Sequence, residues 1–155
     1  MTRQTAFRLL LVLVLAVVAL ALRGKGRLPS TPEDAVRRLF EAAQRGDAPA
    51  YLATLTGTLR SSFESSRSQM GAAAFSASLR QSMAAVKGFA VSTAGGPSPE
   101  EAGLDVELVF ADHNERQRFV LVRQGGGWLV AAIEKADAYK PPRPYGSPAP
   151  DADAR

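Results

Sequence analysis

LDVELVFADHNERQRFVLV, residues 104–122, alternates apolar and polar side chains on either side of a polar centre. A strand turns successive side chains to opposite faces, so Leu104, Val106 and Leu108 share one face while Asp105 and Glu107 share the other. Asp112-His113-Asn114-Glu115 turns the chain and Phe119 to Arg123 returns, which predicts an antiparallel hairpin. With His113 and Asn114 at its tip, Leu108 falls opposite Phe119 and Val106 opposite Leu121, so one face of the hairpin is apolar throughout.

Strand signals continue on both sides of this hairpin. Gly125-Gly126-Gly127 makes a turn, and Trp128 to Glu134 read as a final strand. Phe89-Ala90-Val91-Ser92 begins an earlier strand, which gives way to TAGGPSPEEAG (93–103), read as a long polar loop. Upstream of residue 88 the period is helical. Thr31 caps, Pro32 suits the first helical position, and Glu33 and Asp34 sit where the helix dipole favours anions. Val36, Leu39, Phe40 and Ala43 then share one face until Gly46 stops the helix. Asp47 with Pro49 starts a second helix bearing Tyr51, Leu52 and Leu55, and Gly57 interrupts it. Leu59, Phe63 and Met70 mark a serine-rich third helix, and Phe75, Leu79, Met83 and Val86 a cleaner fourth, ended by Lys87-Gly88. Helices first and a meander afterwards predict an α+β domain with the helices on one face of an antiparallel sheet.

The two ends have a different character. Leu9 to Leu22 (LLLVLVLAVVALAL) is an unbroken apolar run of 14 residues, preceded by Arg3 and Arg8 and followed by Arg23, Lys25 and Arg27. As a helix it covers roughly 21 Å at about 1.5 Å per residue, short of a hydrocarbon core of roughly 30 Å. Extended back through Ala6 it reaches the low end for a spanning helix, with Arg8 snorkelling to the interface. Ala19-Leu20-Ala21 also suits signal peptidase, although the cations just beyond it oppose translocation. Residues 1–27 therefore read as a signal anchor, or a signal peptide cut near Ala21. The expected location is a single-pass membrane protein with its domain outside the cytosol, or an exported one. Residues 28–139 read as one α+β domain, and 140–155 as a proline-rich tail too poor in apolar residues to pack.

Charge follows the same division. The chain carries a net +4, but residues 1–27 hold five of the nineteen Lys and Arg and none of the fifteen Asp and Glu. The rest is near neutral at −1, and the basic end suits anionic headgroups. A near-neutral domain without clustered Arg and aromatics has no footprint for a phosphate backbone, so no nucleic-acid partner is expected. The absence of cysteine excludes a disulfide scaffold, a thiolate metal site and a cysteine nucleophile.

TPEDAVRRLFEAAQRGD (31–47), with its proline-acid start, alanine-rich helix, central Phe and closing Gly-Asp, resembles the opening helix of the nuclear-transport-factor-2-like superfamily. GGGWLVAAI (125–133) is similar to that family's glycine turn and final tryptophan strand. The resemblance covers roughly residues 31–136 and implies a cystatin-like fold, in which a curved sheet wraps a long helix and leaves a conical pocket. Members include ketosteroid-isomerase-like enzymes, polyketide cyclases, transport factors, membrane-anchored secretion subunits and exported proteins, and the chain looks closest to the last group. No catalytic motif of the enzyme members matches residue by residue, so no catalytic residue is carried over.

The residues themselves offer little chemistry. His113 is the only histidine, and one imidazole on a turn does not make a metal site, so neither metal nor cofactor is expected. Asp105 and Glu107 read as a wet outer face near Arg118 or Arg123. The serines of 61–68 with Arg60 and Arg67 read as a solvated helix face, Pro141 to Pro144 as part of the tail, and the triple glycine lacks the Lys-Ser/Thr of a phosphate loop. Phe40, Tyr51, Phe75 and Trp128 are the candidates to line a cone that holds a small apolar ligand. Val109, Val120 and Val122 are the candidates for an interface on the outer sheet face. The expected function is a non-enzymatic, membrane-tethered extracytoplasmic domain acting through protein contacts, as a homodimer or with an envelope partner, or through ligand binding. The alternatives are a structural subunit of an envelope or secretion assembly, and an isomerase- or cyclase-like enzyme acting on a small hydrophobic molecule.

Overall fold

In the computed structural model, residues 28–134 and 137–139 are described. The apolar run Leu9–Leu22 and the tail after Tyr139 lie outside them. Among the described residues no helix is long and apolar enough to cross a membrane.

The first helix, α1 (Pro32–Arg45), forms where the sequence places its signals. Thr31 Oγ1 accepts from Asp34 N–H at 3.1 Å, and Gly46 closes the far end in the left-handed conformation, φ 65°. Gly46 is required twice over, because a Cβ there would also meet the Ser76 carbonyl at 2.7 Å and the Arg80 side chain, where the fourth helix crosses. Helix α1 buries Ala35, Val36, Leu39, Phe40, Ala42 and Ala43. Asp47 Oδ1 caps α2 (Ala48–Ala53) by accepting from Ala50 N–H at 3.0 Å. Helix α3 (Gly57–Met70) buries no residue, and its Ser61, Ser62, Ser66 and Ser68 hydroxyls donate to carbonyls four residues back. Helix α4 (Ala72–Met83) buries Phe75, Leu79 and Met83.

The four helices pack against a curved antiparallel sheet of five strands. Strands β1 (Gly88–Ser98), β2 (Glu101–Val109), β3 (Asn114–Gln124) and β4 (Gly127–Ile133) pair in chain order. Strand β5 (Asp137–Tyr139) pairs with the start of β3, on the edge that β2 leaves open and beyond the end of β4. A register shift between Val120 and Leu121 bends the sheet against β4. The outer edge of β4 is closed by other backbone: Trp128 N–H donates to the Pro29 carbonyl, Val130 N–H to Thr54, and Thr56 N–H to Val130. Leu104, Val106, Leu108, Phe119, Leu121 and Val130 meet the helices in one core.

Three details depart from the sequence expectation. The Trp128 strand is not the final one, because β5 follows it and pairs with β3. The hairpin closes through Phe110 to His113, with Phe110 N–H donating to the His113 carbonyl, and Leu104 rather than Leu108 lies opposite Phe119. The partner has moved by four residues, an even number, so every side chain keeps its face. Residues 93–103 are not a loop. Strand β1 runs on to Ser98 and β2 begins at Glu101, so most of that stretch forms a paired arm with register shifts around Gly95. Its glycines make the pairing possible: a Cβ at Gly96 would run into the Glu101 carbonyl, and one at Gly103 would stand 2.8 Å from the Gly95 carbonyl.

Candidate functional site

Between the inward face of the sheet and the helices lies a cavity of about 230 Å³. Leu39, Phe40 and Ala43 of α1, Tyr51 of α2, Met83 of α4, Leu108 of β2, Phe119 of β3 and Ile133 of β4 supply its apolar wall. Its polar lining residues are Tyr51, Ser82, Gln117 and Glu115. Glu115 and Gln117 reach it because β3 alternates: counted back by twos from the buried Phe119, both occupy inward positions. They pair with Leu108 and Val106 of β2, which are buried.

The polar groups differ in what they can still do. Ser82 Oγ donates to the Leu79 carbonyl at 2.8 Å, which leaves its oxygen as an acceptor. Burial pushes the Tyr51 hydroxyl up to about 12, so it stays a neutral donor across ordinary pH. Glu115 Oε1 lies 3.4 Å from His113 Nε2, and His113 Nδ1 lies 2.8 Å from Asp112 Oδ1. The imidazole is stacked flat on Phe110, with centroids 4.6 Å apart and planes within 1°. Hydrogen bonds to Asp112 and then Glu115 raise its pKa above the ordinary histidine value, since both carboxylates favour the imidazolium. His113 is thus on the turn, as its sequence context indicates, but it also links an exposed carboxylate to one that lines the cavity. Among the described residues no three His, Asp or Glu side chains converge as a metal cage.

Of the four aromatics proposed for the cone, Phe40 and Tyr51 line the cavity. Phe75 stands behind Tyr51, edge-on at 6.5 Å, and packs in the core. Trp128 packs against the core from β4, opposite Arg123, and is not part of the lining. The sequence does not single out Glu115, Gln117 or Phe110 as site residues, because the Asp-His-Asn-Glu cluster looks like turn chemistry and hides the inward register of Glu115.

The outer sheet face has its own geometry. Asp105 stands opposite Arg118 and Glu107 opposite Arg116, giving a charged ladder across β2 and β3. Glu107 also accepts from the buried Asn114 side chain. Val120 and Val122 lie together on β3, but Val109 stands opposite Asn114, six residues along the strand from Val120. That is roughly 20 Å at about 3.4 Å per residue, with the charged ladder between. A second cavity of about 360 Å³ opens on the arm side, lined by Gly95, Pro97, Gly103, Arg118, Val120 and others. Its charged groups, Glu101, Arg118 and Glu134, are all exposed, and no helix contributes to its wall. The inner cavity, walled by both layers and mostly apolar, is the candidate site.

No protein-family model matches the chain, and no curated protein matches it in sequence.

Proposed function

We propose that this chain is a nuclear-transport-factor-2-like domain with a cystatin-like cone. On this reading it is a non-enzymatic domain, held outside the cytosol by Leu9–Leu22 or exported after cleavage near Ala21, and it binds a small, mainly apolar ligand in the cone. The supporting observation is the cavity between α1, α4 and the sheet, in which apolar side chains from both layers surround a few convergent polar groups. Its volume lies below the roughly 300–1,000 Å³ of sites for drug-sized molecules, so the ligand is a compact one. The order of elements supports the family reading: a capped opening helix, further helices, then a meander that includes the Gly125–Gly127 turn and the Trp128 strand and is followed by the short β5.

Methyl NMR of the full-length protein in lipid nanodiscs tests this, with benzene as the probe. The expected result is saturable shifts at Met83, Leu108 and Ile133 that are lost in Ala43→Phe, which fills the cavity. Unperturbed methyls would overturn the binding role. A reporter fused after Tyr139 is expected to be active only outside the cytosol, and cytosolic activity would reverse the proposed topology.

One observation favours the enzyme reading. Asp112, His113 and Glu115 form a hydrogen-bonded line that ends on a carboxylate at the cavity, an arrangement suited to taking a proton from a carbon next to a carbonyl. Catalysed deuterium exchange into cyclohexanone, abolished by Glu115→Gln, would move the domain into that class. Exchange no faster than the buffer rate would remove it from that class.

A further inference from the structure

The lining of the cavity carries a charge as well as an apolar wall. Among the described residues of its lining, Glu115 carries the only formal charge, and no Lys, Arg or His is among them. His113 engages one oxygen of that carboxylate at a long 3.4 Å, and no other hydrogen bond to it exists among the described residues. An anionic ligand would face Glu115 with no cation among the described lining residues, His113 standing behind that carboxylate and outside the lining. A neutral ligand would cover the carboxylate and leave its second oxygen unpaired, which costs desolvation energy without a compensating bond. An ammonium group removes both penalties through charge-assisted N–H donation to the carboxylate. Phe40 and Tyr51, both in the lining, add aromatic rings of the kind that attracts a cation.

Resting on the cavity reading above, we infer that the cone selects a compact apolar amine, bound as its ammonium ion. The apolar body lies against Leu39, Phe40, Met83, Leu108 and Phe119, and the charged nitrogen lies on Glu115 at the β3 end of the cavity. Gln117 and the Ser82 oxygen accept any remaining N–H. The arrangement reads charge with one carboxylate and shape with the apolar wall.

Three molecules with one body and three head groups test it: cyclohexylmethylamine, cyclohexylmethanol and cyclohexanecarboxylate. Each is titrated into full-length protein in nanodiscs at pH 8, where the amine is a cation and the acid an anion. Binding is read at the Met83, Leu108 and Ile133 methyls, so partition into lipid does not register. The amine is expected to bind about tenfold or more tighter than the alcohol, the increment of a charged hydrogen bond over a neutral one, with the carboxylate weakest. Glu115→Gln should bring the amine to the alcohol's affinity and leave the alcohol unchanged. If the alcohol or the carboxylate binds as tightly as the amine, or Glu115→Gln keeps the preference, the inference fails and the cavity reading stands. If none of the three shifts the methyls while benzene does, the inference fails and the cavity reading stands; if benzene leaves them unmoved as well, both fail. Folding of the variant is read at the Leu121 and Val130 methyls, and if it does not fold, the charge series on the wild-type chain still decides.

Discussion

Strand β3 turns two unlike halves toward the helices. Glu115 and Gln117 are partly exposed where they border the cavity, Phe119 closes it at 1% exposed, and Leu121, the next inward position, lies outside the lining at 0%. Period and strand are the same, so local conformation cannot explain the contrast. The surroundings can. Next to Leu121 lies Val130, on which Leu55 forms a parallel bridge, and the core cluster is closed there. Next to Glu115 are Phe110, Ser82 and Val86, in the turns where the hairpin and α4 end, and these leave space. The sheet is thus a sealed scaffold at one end and borders an open cavity at the other.

The largest expected effect sharpens this contrast by truncating each half in turn. Leu121→Ala should destabilise the protein by about 2–5 kcal/mol in chemical denaturation, because the closed core cannot collapse around the lost side chain. Glu115→Ala should change stability by no more than about 0.5 kcal/mol, as at a surface position. Equal losses at the two sites would mean that Glu115 supports the fold, and the division of the strand would be wrong.

That division was only partly legible in the sequence. Thr31-Pro32-Glu33-Asp34 and Gly46 marked α1 at both ends, because capping is chemistry between near neighbours. The inward face of the hairpin was legible too, since alternation survives any even change of register. The register itself was not: the polar run 112–115 suits several turns, and the four-residue closure through Phe110 to His113 depends on packing of the Phe110 ring on His113. Gly95, Gly96, Pro97 and Gly103 have the composition of a loop, yet the missing side chains at Gly96 and Gly103 are what lets two backbones approach in the arm. The site was hidden by the same ambiguity. Assigning Glu115 to the turn removed it from the strand, although stepping back from Phe119 by twos lands on Gln117 and then on Glu115. A polar residue at an inward strand position is the signal to look for.

Gln117 gives a smaller and more specific test. No hydrogen bond holds its amide among the described residues, and its neighbours across the sheet and cavity include Val106 and Phe119. Gln117→Leu should therefore raise stability by about 0.5–1 kcal/mol while weakening ligands that carry a hydrogen-bonding head, the trade expected where a polar group is kept for function. The measurements are the denaturation midpoint and the cyclohexylmethylamine affinity of the same variant. A destabilised variant would show that Gln117 belongs to the scaffold half.

The smallest effect comes from His113, at the boundary between the turn and the polar half. Its pKa in the folded protein is raised, first by the hydrogen bond to Asp112 and then by that to Glu115. A raised folded value means that the imidazolium favours folding. The contribution is complete below the unfolded value, about 6.5, and disappears as pH climbs through the higher folded one. Wild type should therefore exceed His113→Gln in thermal midpoint by more at pH 5.5 than at pH 9, where only the stacking of the ring on Phe110 is left. The shift should be smaller than that from Gln117→Leu, because solvent screens an ion pair on an exposed turn. The two carboxylates contribute differently. Asp112→Asn should remove most of the pH dependence, because its oxygen is 2.8 Å from the ring and Glu115's is 3.4 Å. If Glu115→Gln removes more of it than Asp112→Asn, the imidazolium is held mainly by the cavity carboxylate, and occupancy of the cone by an ammonium ion would then compete directly with His113.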